Sequence, residues 1–174
     1  MPVLETQSCG STEKFEQSDT PEYMVFHNLE PVPYSSALAA WPLHLTVVPP
    51  SEFLMPNPER AILELIRDIA DEHTPFLVCP GERDVFGAEH DRPGTRILDH
   101  TGNLHSLHER LIWDLGSIGC HKMDGRWALR NYSPHVADQY EKRIRPQPFL
   151  VDSLTLARKK NGVKEVIETV GLVY

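Results

Sequence analysis

The sequence predicts an α+β fold in which one arrangement of strands and a helix is used twice. Segments rich in β-branched and aromatic residues occur before, between and after two segments with helical periodicity. This order indicates an α+β protein rather than a series of parallel β-α-β units. The 174 residues suffice for one domain with a hydrophobic core, and no shift in composition marks a second domain.

The first half is expected to contain a leader, two strands and a helix. Residues 1–21 are polar and rich in Ser, Thr and Glu, so they are predicted to be a loosely ordered leader before a single domain at 22–174. Strands are predicted at 23–32 ("YMVFHNLEPV") and 44–48 ("HLTVV"), the second ended by the two prolines that follow it. A helix then begins near Pro58, with apolar residues at helical spacing. These residues are Ile62, Leu65, Ile66 and Ile69.

The middle of the chain predicts two further strands and a second helix. Residues 75–81 ("PFLVCPG") and 96–100 ("RILDH") have strand composition and flank a turn-rich segment that includes "DRPGT". The helix is predicted within 101–119, where four leucines form an apolar stripe. The stripe consists of Leu104, Leu107, Leu111 and Leu115.

The last part of the chain is predicted to be mostly strand. A short strand-like segment occupies 133–138 ("SPHVAD"), and residues 149–162 alternate as one long strand. Asn161-Gly162 is a strong hairpin signal, and it leads into a final strand at 164–174.

Composition excludes several classes of protein. The net charge of −8 argues against a general nucleic-acid coat protein, because phosphate backbones require positive charge. Residues 120–174 nevertheless contain ten Lys or Arg against six Asp or Glu, which permits a local basic surface. No apolar run approaches the roughly 18–20 residues of a membrane helix, and the N-terminus lacks a secretory pattern. The three cysteines, Cys9, Cys79 and Cys120, form no paired motif, which favours reduced thiols in a cytoplasmic protein.

The segment 41–50 ("WPLHLTVVPP") places two polar side chains on one face of a strand. Side chains of a strand alternate between faces, so the leucines and the first valine point to the core while His44 and Thr46 point away from it. An imidazole and a hydroxyl on one face can together bind an anionic oxygen. A structural histidine and an ordinary β-branched strand residue are the alternatives.

A second segment, 132–137 ("YSPHVA"), has the same features as the first: an aromatic residue, a proline, then a histidine in a strand context. The two histidines lie 91 residues apart, each associated with one helical segment. His135 and Ala137 share a face, so the second segment repeats the histidine of the first but has alanine in place of the hydroxyl residue.

These two segments resemble the signature of the 2H phosphoesterases, which include the bacterial 2′-5′ RNA ligase-like proteins and cyclic phosphodiesterases. That family has two copies of His-x-Thr/Ser-x, one in each half of a pseudo-symmetric α+β fold. Residues 44–47 match the first copy in full, whereas 135–138 match the second only at the histidine. The resemblance covers roughly residues 22–174 and implies two pseudo-symmetric lobes of antiparallel sheet, each with a helix, around a central groove.

The resemblance implies a phosphoesterase in which His44 and His135 act as general acid and base without a metal or other cofactor. Histidine suits both roles because its pKa of about 6.5 leaves either form accessible near neutral pH. Thr46 would hold a phosphate oxygen. The implied substrates are 2′,3′-cyclic phosphates on RNA ends or small cyclic nucleotides, with no membrane association and no obligate protein partner. Trp41 and Trp127 could stack on a base, although core packing is favoured for Trp41.

Ala137 leaves the second half without a hydroxyl, and this opens two questions. Four residues are candidates to replace the hydroxyl: Tyr132, Arg130, Tyr140 and Arg143. The alternative function is a catalytically impaired member that only binds a nucleotide or RNA phosphate. A metal-dependent hydrolase is a third possibility, although the histidine spacing lacks the usual helical zinc pattern. Its ligands would come from His100, His105, His108 and His121, with His108 half-buried or at the surface.

Overall fold

The computed structural model describes residues 20–32, 37–87, 90–123 and 125–173. Within these ranges the chain forms two antiparallel sheets with ten strands in total, together with two α helices. The predicted α+β class is therefore confirmed. The leader predicted at 1–21 lies outside the described residues except for its last two positions. No helix in the described ranges is long and apolar enough to cross a membrane.

The elements follow one another along the chain in a mixed order of strands and helices. They are β1 (Glu22–Asn28), β2 (Ala37–Leu38), β3 (His44–Phe53), α1 (Glu59–Asp71), β4 (Phe76–Phe86), β5 (Arg92–Leu98), α2 (Asn103–Ser117), β6 (Cys120–Met123), two short 3-10 helices (Gly125–Trp127 and Leu129–Asn131), β7 (His135–Ala137), β8 (Phe149–Val151), β9 (Ser153–Lys160) and β10 (Val163–Gly171). The larger sheet has the order β2-β10-β9-β1-β3-β6, and the smaller has the order β7-β5-β4-β8. Helices α1 and α2 pack against each other; α1 also packs on β9 and β10, and α2 on β3 and β6.

Strand β3 does not end at Pro49 and Pro50, so that boundary prediction is wrong. The strand continues to Phe53 because the prolines fall where its pairing with β1 is irregular. Val48 pairs with Val25 and Ser51 pairs with Tyr23, so two prolines oppose a single residue of β1. An irregularity of this kind interrupts the ladder, and a residue without an N–H is tolerated there.

The sequence predicts one strand over 149–162, and the structure divides this segment at Asp152. The first part, β8, pairs with β4 in the smaller sheet, whereas β9 pairs with β1 and β10 in the larger one. The chain therefore changes sheets at a single residue. The predicted hairpin turn is confirmed, since Asn161 and Gly162 have φ values of 50° and 78°, as two-residue hairpin turns require.

His108 is completely buried, contrary to the prediction of a half-buried or surface position. It lies one helical turn after Leu104 and so belongs to the apolar stripe of α2. Its Nδ1 donates to the carbonyl oxygen of Val47 at 2.6 Å, and its Nε2 accepts from the backbone N–H of Leu129 at 2.8 Å. Burial is the main cause that holds the pKa of His108 below its usual value. The neutral ring thus joins α2 to β3 and to the second 3-10 helix.

Replacing His108 by Leu is expected to lower the free energy of unfolding by about 2–4 kcal/mol, because a buried carbonyl and a buried N–H lose their partner. The lowered pKa means that the unfolded chain binds a proton more readily than the folded one below about pH 6.5. Wild-type stability should therefore fall as the pH decreases from about 6.5, and less steeply in H108L. Urea denaturation at pH 5, 6 and 8 measures both effects.

The matched control for H108L is H100L, because His100 is exposed. This variant should retain wild-type stability and its pH dependence. An equal loss of stability in the two variants would contradict the structural role assigned to His108.

Candidate active site

A cavity of about 660 Å³ is lined by residues of both sheets. Strand β3 of the larger sheet contributes His44 and Thr46, and β7 of the smaller sheet contributes His135 and Ala137. The volume lies within the range of small-molecule sites. The two predicted histidine segments therefore meet at one concave surface although 91 residues separate their histidines.

His44 is at the first position of β3, where its ring is held by the backbone. Its Nδ1 lies 2.6 Å from the carbonyl oxygen of Pro42, two residues earlier. A carbonyl oxygen can only accept, so Nδ1 carries the proton, and in the neutral ring Nε2 is an acceptor. The ring packs at a tilt against Phe26, with centroids 4.8 Å apart, and near Trp41 at 6.3 Å.

His135 is held in the same way at the first position of β7. Its Nδ1 lies 2.8 Å from the carbonyl oxygen of Ser133, again two residues earlier, so its Nε2 is also an acceptor in the neutral ring. The surroundings differ, because the ring of Phe86 stacks on His135 with centroids 4.0 Å apart and an interplanar angle of 2°. Trp127 lies on another side at 6.3 Å.

The pKa values of both histidines lie below the usual value, and burial is the main cause for each. The hydrogen bonds to the backbone carbonyls oppose this shift. Nearby positive charge adds to it: His135 acts on His44, while Arg96 and Arg92 act on His135. Near neutral pH both rings are therefore mainly neutral, with an Nε2 acceptor on each.

The predicted alternation of β3 is confirmed. Leu43, Leu45 and Val47 are 6%, 0% and 0% exposed, whereas His44 and Thr46 are half-buried and line the cavity. Ala137 also lines the cavity, on the same face of β7 as His135. The first half thus presents an imidazole with a hydroxyl, and the second presents an imidazole with a methyl group.

Tyr132 is one of the four candidates to replace the missing hydroxyl, and it does line the cavity. Its hydroxyl, however, donates to the backbone oxygen of Thr46 at 2.9 Å. Its ring stacks on His108 with centroids 3.8 Å apart and an interplanar angle of 4°. These contacts make Tyr132 a link between β3 and the segment before β7.

The other three candidates do not lie among the described residues that line the cavity. Tyr140 is 85% exposed and borders a separate depression. Arg143 is exposed and lies 3.6 Å from the carboxylate of Asp138, and Arg130 is exposed.

Three basic side chains that the sequence did not single out line the cavity: Arg92, Lys122 and Arg126. Lys122 forms an ion pair with Glu52, which also lines the cavity. Arg92 begins β5, in the segment identified from sequence only as turn-rich. Its position depends on how β5 pairs with β7, and no spacing along the chain could indicate that.

Both tryptophans considered for base stacking line the cavity. Trp41 is half-buried: it packs against the small cluster that contains Phe26 and presents part of its surface to the cavity. Trp41 therefore packs against the core, as favoured, and also lines the cavity. Trp127 lies in the first 3-10 helix, beside His135.

The four histidines considered as metal ligands do not converge. Within the described residues no group of three or more His, Cys, Asp or Glu side chains could hold a metal ion. Both ring nitrogens of His108 are used in the core, and Nδ1 of His105 lies 2.9 Å from the carboxylate of Asp99. His100 and His121 are exposed.

Two antiparallel sheets, both contributing to one cavity, and two helices make up an α+β fold that known structures share. E. coli LigT complexed with 3′-AMP superposes with a TM-score of 0.59 at 15% identity, covering 89% of this chain and 99% of that chain. A crystal structure described as a phosphoesterase gives 0.57 at 17% identity, covering 89% and 99%. The protein TT0787 of Thermus thermophilus gives 0.57 at 17%, covering 87% and 97%.

The resemblance is thereby confirmed at the level of the fold, which this chain shares with E. coli LigT and with the protein described as a phosphoesterase. No protein-family model matches the sequence, and no curated protein matches it significantly.

Replacing Tyr132 by Phe is expected to lower the free energy of unfolding by about 0.5–1.5 kcal/mol, because the hydrogen bond to the Thr46 carbonyl is lost. Affinity for inorganic phosphate should stay close to that of the wild type. Chemical denaturation and calorimetric titration with phosphate measure the two quantities. Tyr140→Phe removes an exposed hydroxyl and serves as the control. Lost phosphate affinity at unchanged stability would instead assign the Tyr132 hydroxyl to the ligand.

Proposed function

We propose that this protein is a 2H-type phosphoesterase that opens 2′,3′-cyclic phosphates on RNA ends or small nucleotides, with His44 and His135 as its acid–base pair. The observation that carries the proposal is the matched setting of the two rings at one cavity. Each donates from Nδ1 to the carbonyl two residues earlier, so each has Nε2 for the substrate. A mere structural role would not require this arrangement twice.

The proposed chemistry needs one neutral and one protonated histidine. The neutral Nε2 accepts a proton from water as the water oxygen bonds to phosphorus, and the protonated ring donates its proton to the ribose oxygen as the ring P–O bond breaks. The products are a phosphomonoester and a free ribose hydroxyl. The two histidines have then exchanged protonation states, and proton exchange with solvent restores the starting state.

Thr46 and the positive charge around the cavity would stabilise the phosphorane-like transition state. The Thr46 side chain shares the cavity face of β3 with His44 and can donate to a non-bridging oxygen. Arg92, Lys122 and Arg126 line the same cavity in a protein whose net charge is −8. Glu22 and Glu52 also line the cavity, and Lys122 pairs with Glu52, so the lining has a small excess of positive charge. This excess favours an anionic ligand such as phosphate.

The size and aromatic lining of the cavity support a nucleotide as the substrate. About 660 Å³ is compatible with a mononucleotide, and Trp41 and Trp127 give the cavity an aromatic lining suited to a base. Structures of E. coli LigT with 3′-AMP, ATP and NADP+ show that the shared fold can hold such ligands. Here the same class of ligand is proposed.

The proposal extends to the cellular setting of the chain. Residues 22–174 would work as one bilobal domain, since both sheets contribute to one cavity. Cys79 and Cys120 are free thiols, which suits the reducing cytoplasm.

A phosphate-binding protein without turnover is the second candidate function, and Ala137 is the observation that favours it. Without the second hydroxyl, phosphate oxygens on the side of His135 lose a donor. Binding of a nucleoside 2′,3′-cyclic phosphate without any product would identify this function.

Replacing His44 or His135 by Ala should each lower turnover of a nucleoside 2′,3′-cyclic phosphate by about 10²–10⁴-fold, because each removes one proton-transfer step. Chromatographic separation of the phosphomonoester product measures the rate. His100→Ala, an exposed histidine, is the matched control and should keep wild-type turnover. Unchanged rates in both site variants would refute the proposal, and loss of wild-type activity in EDTA would favour the metal-dependent alternative.

The pH profile of kcat/KM should be bell-shaped, with its maximum below about pH 6.5. Activity needs one protonated and one neutral histidine, and burial lowers the pKa of both from that value. Activity should therefore decline as the pH rises from 6.5 to 8, as the acid loses its proton, and again at low pH, as the base gains one. Steady-state kinetics between pH 4.5 and 8.5 test this; a rate that increases steadily to pH 8 is the contrary result.

A further inference from the structure

The absence of a hydroxyl at Ala137 raises the question of which neighbouring group faces the same part of the cavity. Strand β7 has one neighbour in its sheet, β5. Their register pairs His135 with Arg96 and Ala137 with Gly94. Directly paired residues lie on the same face of a sheet. Any side chain that replaces the hydroxyl from β5 must therefore come from position 94 or from its two neighbours on that face, Arg92 and Arg96. Arg96 forms an ion pair with Asp84 and is not among the described residues that line the cavity.

Position 94 cannot supply a side chain. A Cβ atom on Gly94 would lie 2.7 Å from the carbonyl oxygen of Val136 and 3.1 Å from the Cα of Ala137. It would also lie 3.1 Å from the ring of Phe86, which stacks on His135. The place opposite Ala137 is therefore closed to every residue except glycine.

Arg92 is the next residue of β5 on that face, and it lines the cavity with Ala137 and His135. Diagonal neighbours in a sheet are roughly 7–8 Å apart, which a long side chain spans. The stem of Arg92 passes close to Gly87, which also lines the cavity: a Cβ on Gly87 would lie 3.4 Å from Cγ of Arg92 and 3.0 Å from the carboxylate of Asp91. The φ of Gly87 is 95°, a conformation that also favours glycine.

The charge of Arg92 is not neutralised by a neighbour in the described part of the chain. No carboxylate there forms an ion pair with it, whereas Lys122 in the same cavity pairs with Glu52 and Arg96 pairs with Asp84. Burial is the main cause that lowers the pKa of His135, and the positive charges of Arg96 and Arg92 contribute to the same shift. A guanidinium in this position is suited to an anion, because it offers two parallel N–H donors.

We propose that Arg92 is the phosphate-binding residue of the second half of the site: its guanidinium takes the place of the hydroxyl that Ala137 lacks and holds a non-bridging phosphate oxygen beside His135. This assignment rests on the proposed function for the identity of the substrate, but the anion site itself does not. Thr46 and Arg92 would then bind the phosphate from opposite sheets. The second half of the cavity is complete, with a charged donor in place of a neutral one.

The test begins with inorganic phosphate as the probe and the full chain as the protein. Arg92→Met keeps the length of the stem and removes the charge; it should weaken phosphate binding by about 10- to 100-fold, the usual effect of losing one charge-assisted hydrogen bond. Arg92→Lys keeps the charge but lacks the paired donors, so its phosphate affinity should lie between those of Arg92→Met and the wild type. Arg145→Met, an exposed arginine outside the cavity, removes the same charge and should bind as the wild type does. Circular dichroism confirms that each variant is folded.

The decisive variant restores the hydroxyl in the absence of the guanidinium. In the Arg92→Met background, Ala137→Thr should recover a large part of the lost phosphate affinity. In the wild-type background, the same substitution should raise phosphate affinity much less. The variants should rank in the same order for turnover of a nucleoside 2′,3′-cyclic phosphate as for phosphate affinity. If Ala137→Thr raised phosphate affinity by the same factor in both backgrounds, the hydroxyl and the guanidinium would not bind the same phosphate oxygen. This result overturns the proposal.

The outcomes separate this inference from the proposed function. Phosphate affinity that depends on Arg92 in a protein without turnover supports the anion site and refutes the phosphoesterase. Turnover that depends on both histidines while Arg92→Met binds phosphate normally refutes the anion site alone. A wild-type protein that does not bind phosphate at millimolar concentration also overturns the assignment of Arg92.

Discussion

Two hydrogen bonds to neighbouring carbonyls of β3 connect the two halves of the cavity. The Tyr132 hydroxyl donates to the Thr46 oxygen, and Nδ1 of His108 donates to the Val47 oxygen. The two rings stack on each other, and Nε2 of His108 accepts from the N–H of Leu129. Because Tyr132 precedes His135 by three residues, this buried group fixes the start of β7 relative to β3. The segments that contain the two cavity histidines are thus joined by this group.

The two halves of the site are alike in backbone geometry and different in surroundings. Each histidine begins a strand and bonds to the carbonyl two residues before it, which sets the same tautomer twice. His44 packs at an angle to Phe26, whereas His135 lies flat on Phe86 with arginines nearby. The same backbone hydrogen bond thus leaves Nε2 as the acceptor nitrogen of both neutral rings. The side chains around the two rings differ. The residue that shares the cavity face with each histidine also differs: Thr46 beside His44 and Ala137 beside His135.

The α+β class and the histidine pair could be predicted from the sequence because both depend on local periodicity. The alternation in β3 determines the faces of His44 and Thr46, and the same order of residue types recurs at His135. The change of sheet at Asp152 could not be predicted, since β8 and β9 together have one continuous strand pattern. Arg92 escaped notice for a related reason: only the register of β5 against β7 brings it to the cavity. Pairing between distant strands is not encoded in any spacing along the chain.

Pro49 and Pro50 lie in a part of β3 that β6 does not cover. On the side away from β1, β6 pairs with β3 only from Ser51 to Phe53. A strand edge without a partner offers N–H groups to which another chain can add a strand, and this is a common route to aggregation. Pro49 and Pro50 have no N–H to offer, and both line the cavity next to the open part of the strand. The two prolines thus remove two N–H groups that an added strand would need beside the part of β3 that contains His44 and Thr46.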